Sequence, residues 1–115
     1  MNLFICYTKC STCKKAKSFL DKENISYQER DIKSENPTYE ELKSWYEKGV
    51  PLKKMFNTSG MLYKEMKLKD KLPNMSVEEQ LKLLSSDGML VKRPIFITSN
   101  QIIFGFKEEE YRKLV

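Results

Sequence analysis

The sequence predicts an α/β fold: a four-stranded mixed sheet with helices on its faces and a helical insertion between the second and third strands. Three observations lead there. The first 32 residues read strand–helix–strand. Two short β-branched runs near the C-terminus flank a tight turn. Between these regions lie two capping-box helices and no strand pattern. The 115 residues suit a single domain, 1–115, with the insertion at about 36–88.

The opening run Asn2-Leu-Phe-Ile-Cys-Tyr7 is short, apolar and rich in aromatic and β-branched residues, as a buried strand requires. Cys10-Ser-Thr-Cys13 follows, then a helical stretch to Lys22 in which Ala16, Phe19 and Leu20 share one face. Ser11 and Thr12 are expected to cap it. Asn24–Ile32 alternates weakly, with Ile25, Tyr27 and Glu29 on one side of a second strand. A crossover of this length joins parallel neighbours in the right-handed sense.

Pro37 stands where a helix can begin, and Thr38-Tyr-Glu-Glu41 has the capping-box pattern. Tyr39, Leu42, Trp45 and Tyr46 form its expected inner face, and Gly49 stops it. Pro51–Phe56 reads as another helical turn, Asn57–Gly60 as a loop, and Met61–Leu72 as an amphipathic stretch of undecided form. Ser76-Val-Glu-Glu79 is a second capping box, with Val77, Leu81 and Leu84 facing inward until Asp87-Gly88 ends the helix. Pro94–Thr98 and Ile102–Phe104, joined by Ser99-Asn-Gln, form an antiparallel hairpin. Lys107–Leu114 closes the chain as a helix, with Tyr111 and Leu114 inward. This order of elements is the thioredoxin/glutaredoxin-like arrangement with a helical insertion.

Composition narrows the chemistry. The net charge is +5, from 21 basic and 16 acidic residues, and only Arg30, Arg93 and Arg112 are arginines. A mild lysine excess is a solvated surface rather than a nucleic-acid footprint, so no direct DNA binding is expected. The lysines of Lys64–Lys71 are read the same way, with a partner surface as the alternative. The chain has no His, which removes Ser-His-Asp and Cys-His nucleophile systems. No apolar run reaches the roughly 18–20 residues of a membrane span, and MNLFICYT lacks the pattern of a signal peptide. A cytoplasmic protein is expected, with no structural disulfide framework from its three cysteines, Cys6, Cys10 and Cys13.

Cys10 and Cys13 form a C-x-x-C at a strand-to-helix junction, a redox placement. There a thiol meets unpaired backbone N–H groups and the positive end of the helix dipole, which favour thiolate. Lys9, Lys14, Lys15 and Lys17, with no acid among residues 9–17, are expected to add to this. Cys10 is then the exposed attacking thiolate, and Cys13, one turn in and more buried, resolves the mixed disulfide. Zinc is the competing use of C-x-x-C, but a structural site needs four ligands, which this chain could supply only through a dimer. A pair of idle thiols is the other reading. Cys6 is expected to fill space in the core.

Cys10-Ser-Thr-Cys-Lys-Lys-Ala-Lys17, Phe56-Asn-Thr-Ser-Gly60, Ser86-Asp-Gly-Met-Leu-Val-Lys-Arg-Pro-Ile95 and Gly105-Phe-Lys-Glu-Glu-Glu110 together resemble the ArsC/Spx family over essentially the whole chain. The resemblance implies an ArsC-like thioredoxin fold, a cis peptide before Pro94 facing the cysteines, and contact of Arg93 with the catalytic sulfur or its anion. It places Ser11, Thr12, Lys14, Asn57 and Pro94 around the substrate. Asn57 and Phe106 stand where glutaredoxin-dependent arsenate reductases of the family carry further arginines. A tetrahedral dianion would thereby lose two charge-assisted contacts, each worth about 1.5–3 kcal/mol.

Cys13, absent from those reductases, points to dithiol chemistry. The function implied is an ArsC-family thiol–disulfide oxidoreductase with no bound cofactor, recycled by thioredoxin or by glutathione with glutaredoxin. The alternative is an Spx-like redox-sensing transcription regulator that binds the C-terminal domain of the RNA polymerase α subunit. The chain stops short of the longer C-terminal tail typical of Spx.

Overall fold

The computed structural model describes residues 2–115. Strands β1 (Leu3–Cys6), β2 (Gln28–Asp31), β3 (Ile95–Ile97) and β4 (Ile102–Phe104) form one sheet in the order β2-β1-β3-β4. β1 and β2 are parallel, with Leu3 opposite Gln28 and Cys6 opposite Asp31. β3 runs antiparallel to both β1 and β4, with Phe4 opposite Phe96 and Phe96 opposite Ile103. Helix α1 (Ser11–Lys22) supplies the crossover that a parallel pair needs. At the hairpin, the Thr98 hydroxyl oxygen accepts from the N–H groups of Asn100 and Gln101 at 3.2 and 3.0 Å. This is the mixed, thioredoxin-like sheet expected from the order of elements.

The chain folds into two compact units, one made of the residues up to Ile32 with Arg93–Val115, the other of Lys33–Lys92. In the first, Phe4 and Cys6 point to one face of β1 because side chains alternate along a strand. They meet Cys13, Ala16 and Leu20 of α1 and Phe96, Ile103 and Tyr111 in one buried cluster. Phe19 lies at the edge of the predicted α1 face rather than within it. It is half-buried, with its ring 6.2 Å from Phe106 and 6.0 Å from Tyr111. Helix α7 (Glu108–Arg112) is shorter than the predicted Lys107–Leu114. It seats Tyr111 fully buried, 5.7 Å from Phe96 and 4.7 Å from Phe106.

β2 begins at Gln28, so Ile25 and Tyr27 precede it. The Ile25 N–H bonds back to the Leu20 carbonyl at 2.9 Å, and the Tyr27 hydroxyl donates to Asp21 at 2.7 Å. The apolar alternation read there belongs to the turn that leaves α1. The strand itself, Gln-Glu-Arg-Asp, lies at the sheet edge, where polar side chains remain solvated and blunt further pairing.

The second unit is helical: α2 (Tyr39–Glu47), α3 (Leu52–Met55), α4 (Met61–Glu65), α5 (Leu68–Lys71) and α6 (Val77–Ser86). Both capping boxes form, Thr38 with Glu41 and Ser76 with Glu79. Leu42 and Trp45 are buried, but Tyr46 is 37% exposed because it falls on the flank of that stripe. Val77 is exposed as well: it occupies the first helical position, one turn short of Leu81. Gly49 leaves α2 at φ +107°, a conformation that favours glycine. Met61–Leu72 resolves into two short helices joined at Lys67 (φ 53°), with Leu68 buried and Lys64, Lys67, Lys69 and Lys71 exposed. Among the described residues, no helix is long and apolar enough to cross a membrane.

Candidate active site

β1 ends at Cys6, and a turn closed by the Cys10 N–H on the Tyr7 carbonyl (3.0 Å) leads into α1. Cys10 itself is the N-cap, at φ −94° and ψ 121°, and its sulfur accepts the Cys13 N–H at 3.4 Å. The cap is therefore a thiol, not the expected Ser11 or Thr12. Those two residues already lie inside the helix, past the position from which a side chain can reach the free amides of the first turn.

The two cysteines sit in different surroundings. Cys10 is half-buried, whereas Cys13 is 3% exposed. Burial opposes ionisation of Cys10, but the Cys13 N–H, the Cys13 thiol and the Arg93 guanidinium all favour the thiolate, and its pKa lies below the ordinary thiol value. For Cys13, burial dominates and pushes the thiol up to about 12, helped by the neighbouring Cys10 and opposed by the Tyr7 N–H, which donates to its sulfur at 3.3 Å. The lysines are not among the main causes of the Cys10 shift. Lys9, Lys14 and Lys15 are exposed, and Lys17 is turned to Glu29 at 2.8 Å. Ammonium groups held in water are screened over such distances.

Arg93 comes to Cys10 from the far end of the chain and favours its thiolate through hydrogen bonding and charge. Its guanidinium also lies 5.2 Å above the Tyr7 ring. The Arg93–Pro94 peptide is cis, and the buried Pro94 accepts the Gly105 N–H at 2.7 Å, which ties the start of β3 to the end of β4. Tyr7 thus belongs to the site although its sequence position, the last residue of an apolar run, carried no signal of it.

The remaining candidates fall as follows. Ser11 and Lys14 are exposed on the first turn of α1, and Thr12 is half-buried there. Asn57 belongs to the Lys33–Lys92 unit, where its N–H donates to Leu90 at 2.8 Å and its side-chain amide to Met89 at 3.4 Å. Gly60 keeps that loop tight, since a Cβ there would lie 2.6 Å from the Asn57 amide nitrogen. Phe106 packs into the aromatic group around Tyr111 and offers no charge. Cys6 is a core residue whose thiol is pushed up to about 11, mainly by burial and then by Glu29. Among the described residues, no group of three or more His, Cys, Asp or Glu side chains is placed to hold a metal ion.

Comparison with known proteins places this arrangement. The chain is 50% identical to the uncharacterized protein YusI of Bacillus subtilis over 111 residues, covering 96% of this chain and 94% of YusI. It is 32% identical to the regulatory protein MgsR of Bacillus subtilis and 30% identical to the global transcriptional regulator Spx 2 of Bacillus cereus. It covers 87% of each, with 96% and 98% of this chain aligned. Among solved structures, an ArsC-family-related protein from Bacteroides fragilis matches with a TM-score of 0.95 at 53% identity, covering 99% of this chain and 97% of that one. A protein described as a possible arsenate reductase from Streptococcus mutans matches with a TM-score of 0.88 at 42% identity, covering 97% and 98%. The ArsC family profile itself spans residues 6–114, from the end of β1 to just past the closing helix, and the chain belongs to the ArsC family.

Proposed function

We propose that this chain is a cytoplasmic thiol–disulfide oxidoreductase of the ArsC type, with Cys10 as attacking thiolate and Cys13 as resolving thiol. The observation that carries the reading is the asymmetry of the pair: a half-exposed Cys10 stabilised as thiolate by the Cys13 N–H and Arg93, beside a buried Cys13 held as thiol. The Cys10 thiolate attacks one sulfur of a disulfide R–S–S–R′. A Cys10–S–S–R bond forms, and R′S⁻ leaves and takes a proton from water. The negative charge on Cys10 disappears in this step, and with it one cause of the high Cys13 pKa. Cys13 then loses its proton and attacks the Cys10 sulfur, RS⁻ leaves, and a Cys10–Cys13 disulfide remains. Two electrons pass from the cysteine pair to the substrate. Thioredoxin, or glutathione with glutaredoxin, returns them, and no bound cofactor is needed.

A disulfide suits this site better than arsenate. Arg93 lies at Cys10, whereas Phe106 is packed among aromatic rings and the Asn57 amide is bonded to the Met89 carbonyl. One guanidinium leaves half of a dianion's charge uncompensated, whereas the leaving thiolate of a disulfide carries a single charge. The test is turnover of a small disulfide and of arsenate, each with thioredoxin or glutaredoxin recycling. Wild type is expected to turn over the disulfide, Cys10→Ser to be inactive, and Cys13→Ser to accumulate the mixed disulfide. A wild type whose two thiols never join under diamide would overturn the reading.

A second reading follows from the regulator names of MgsR and Spx 2, at 32% and 30% identity. In it the same pair is a redox switch and the partner is the RNA polymerase α subunit. Retention of the α C-terminal domain by the chain, changing between reduced and oxidised states, with no disulfide turnover, would select this reading over the first.

A further inference from the structure

Tyr7 touches each group that acts in the thiol site. Its carbonyl accepts the Cys10 N–H at 3.0 Å, and its N–H donates to the Cys13 sulfur at 3.3 Å. Its ring lies 5.2 Å beneath the Arg93 guanidinium, which in turn favours the Cys10 thiolate. The ring is only half-buried, at the mouth of the site and at the end of β1. A tyrosine in that position buries less apolar surface than one in the core, so the contact with the cation is its distinctive interaction.

We propose that Tyr7 is a positioning residue for Arg93, its ring holding the guanidinium plane in place so that the N–H groups face the Cys10 sulfur. An arginine side chain has several rotatable bonds, and without a restraint it spends much of its time turned to water. The negative face of an aromatic ring restrains it through the cation without competing for its N–H donors. The ring thus works through Arg93, and the backbone of the same residue sets both sulfurs. The chemical role rests on the reading of Cys10 as the attacking thiolate.

The test is the pH dependence of Cys10 alkylation by iodoacetamide in Tyr7→Phe and Tyr7→Leu, read beside the midpoint potential of the Cys10–Cys13 couple. Tyr7→Phe keeps the ring and is expected to match wild type. Tyr7→Leu keeps both backbone bonds but loses the ring. Its alkylation at neutral pH is expected to slow roughly three- to ten-fold, with a raised Cys10 pKa. Its couple becomes more reducing, since the reduced state loses part of its thiolate stabilisation.

Arg93→Gln separates this effect from a general disturbance of the fold. In that background, Tyr7→Leu should change nothing further. A Tyr7→Leu protein that titrates like wild type, a Tyr7→Phe protein as impaired as Tyr7→Leu, or an added loss on top of Arg93→Gln would each overturn the inference. If wild type fails to turn over disulfides yet Cys10 alkylation still depends on the Tyr7 ring, the oxidoreductase reading falls and the positioning role stands.

Discussion

The backbone N–H of Cys13 donates to the sulfur of Cys10 at 3.4 Å, so the first turn of α1 is capped by a thiol. The atom that caps the helix is also the one proposed above to attack. Serine is a better cap than cysteine, and alanine cannot cap at all. At pH 6, Cys10→Ser is expected to melt at or above wild type, with Cys10→Ala less stable than Cys10→Ser by about 0.5–2 kcal/mol. Thermal unfolding of the three proteins in reductant checks this. An alanine variant as stable as the serine variant would show that the cap contributes nothing.

The three thiols make stability depend on pH with a definite sign. The folded-state pKa of Cys10 lies below its ordinary value of 9.0, so between the two the unfolded chain binds more protons and stability rises with pH. Cys6 and Cys13 have folded values of about 11 and about 12, so above pH 9.0 the unfolded chain releases protons that the folded protein keeps, and stability falls. The buried hydroxyl of Tyr111, also raised by burial, acts in the same direction at higher pH. Urea unfolding of the reduced protein from pH 7 to 11 should show a maximum near pH 9.0. A stability that climbs through pH 10 would contradict these assignments.

Both capping boxes close, with the Thr38 hydroxyl oxygen accepting the Glu41 N–H at 3.1 Å and the Ser76 hydroxyl oxygen accepting the Glu79 N–H at 3.1 Å. Thr38→Ala and Ser76→Ala are each expected to cost about 0.5–2 kcal/mol. Chemical denaturation measures the loss, and an unchanged midpoint in both would show that packing alone holds α2 and α6.

Tyr111 tests the aromatic core. Its ring meets Phe96, Phe106 and Phe19, but its hydroxyl reaches the Gly105 carbonyl only at 3.5 Å. Tyr111→Phe is therefore expected to cost under about 1 kcal/mol, and Tyr111→Ala about 3–5 kcal/mol. If the phenylalanine variant is the more damaged of the two, the hydroxyl rather than the ring holds α7.

Some of this protein is written in short stretches of its sequence. Thr38 with Glu41 and Ser76 with Glu79 set two helix starts through bonds that span three residues. The apolar runs around Phe4 and Phe96 became strands, and Cys10 and Cys13 fell at the strand-to-helix junction. Spacing on a helix and alternation on a strand are local geometry, readable without knowing what lies across the core. Other features were not readable in this way. Tyr27 looked like a strand residue, and only the sheet shows it bonded to Asp21 before β2 begins. Ser11 and Thr12 looked like caps, and only the backbone at Cys10 shows where the helix starts.

The sequence by itself determined the pair of thiols, the helix that carries them and the strands beside it, because neighbours in the chain decide those. It also ranked the two thiols by their place on the helix, but tertiary structure alone supplied Arg93 and Tyr7 as neighbours and showed the lysines of residues 9–17 not to be among the main causes of the Cys10 shift. Those neighbours depend on burying Cys13 and on pairing β3 with β1, which sets Arg93 over the face of Tyr7 and beside Cys10. Desolvation and charge act through space, and spacing along the chain holds no record of distances between residues so far apart in it.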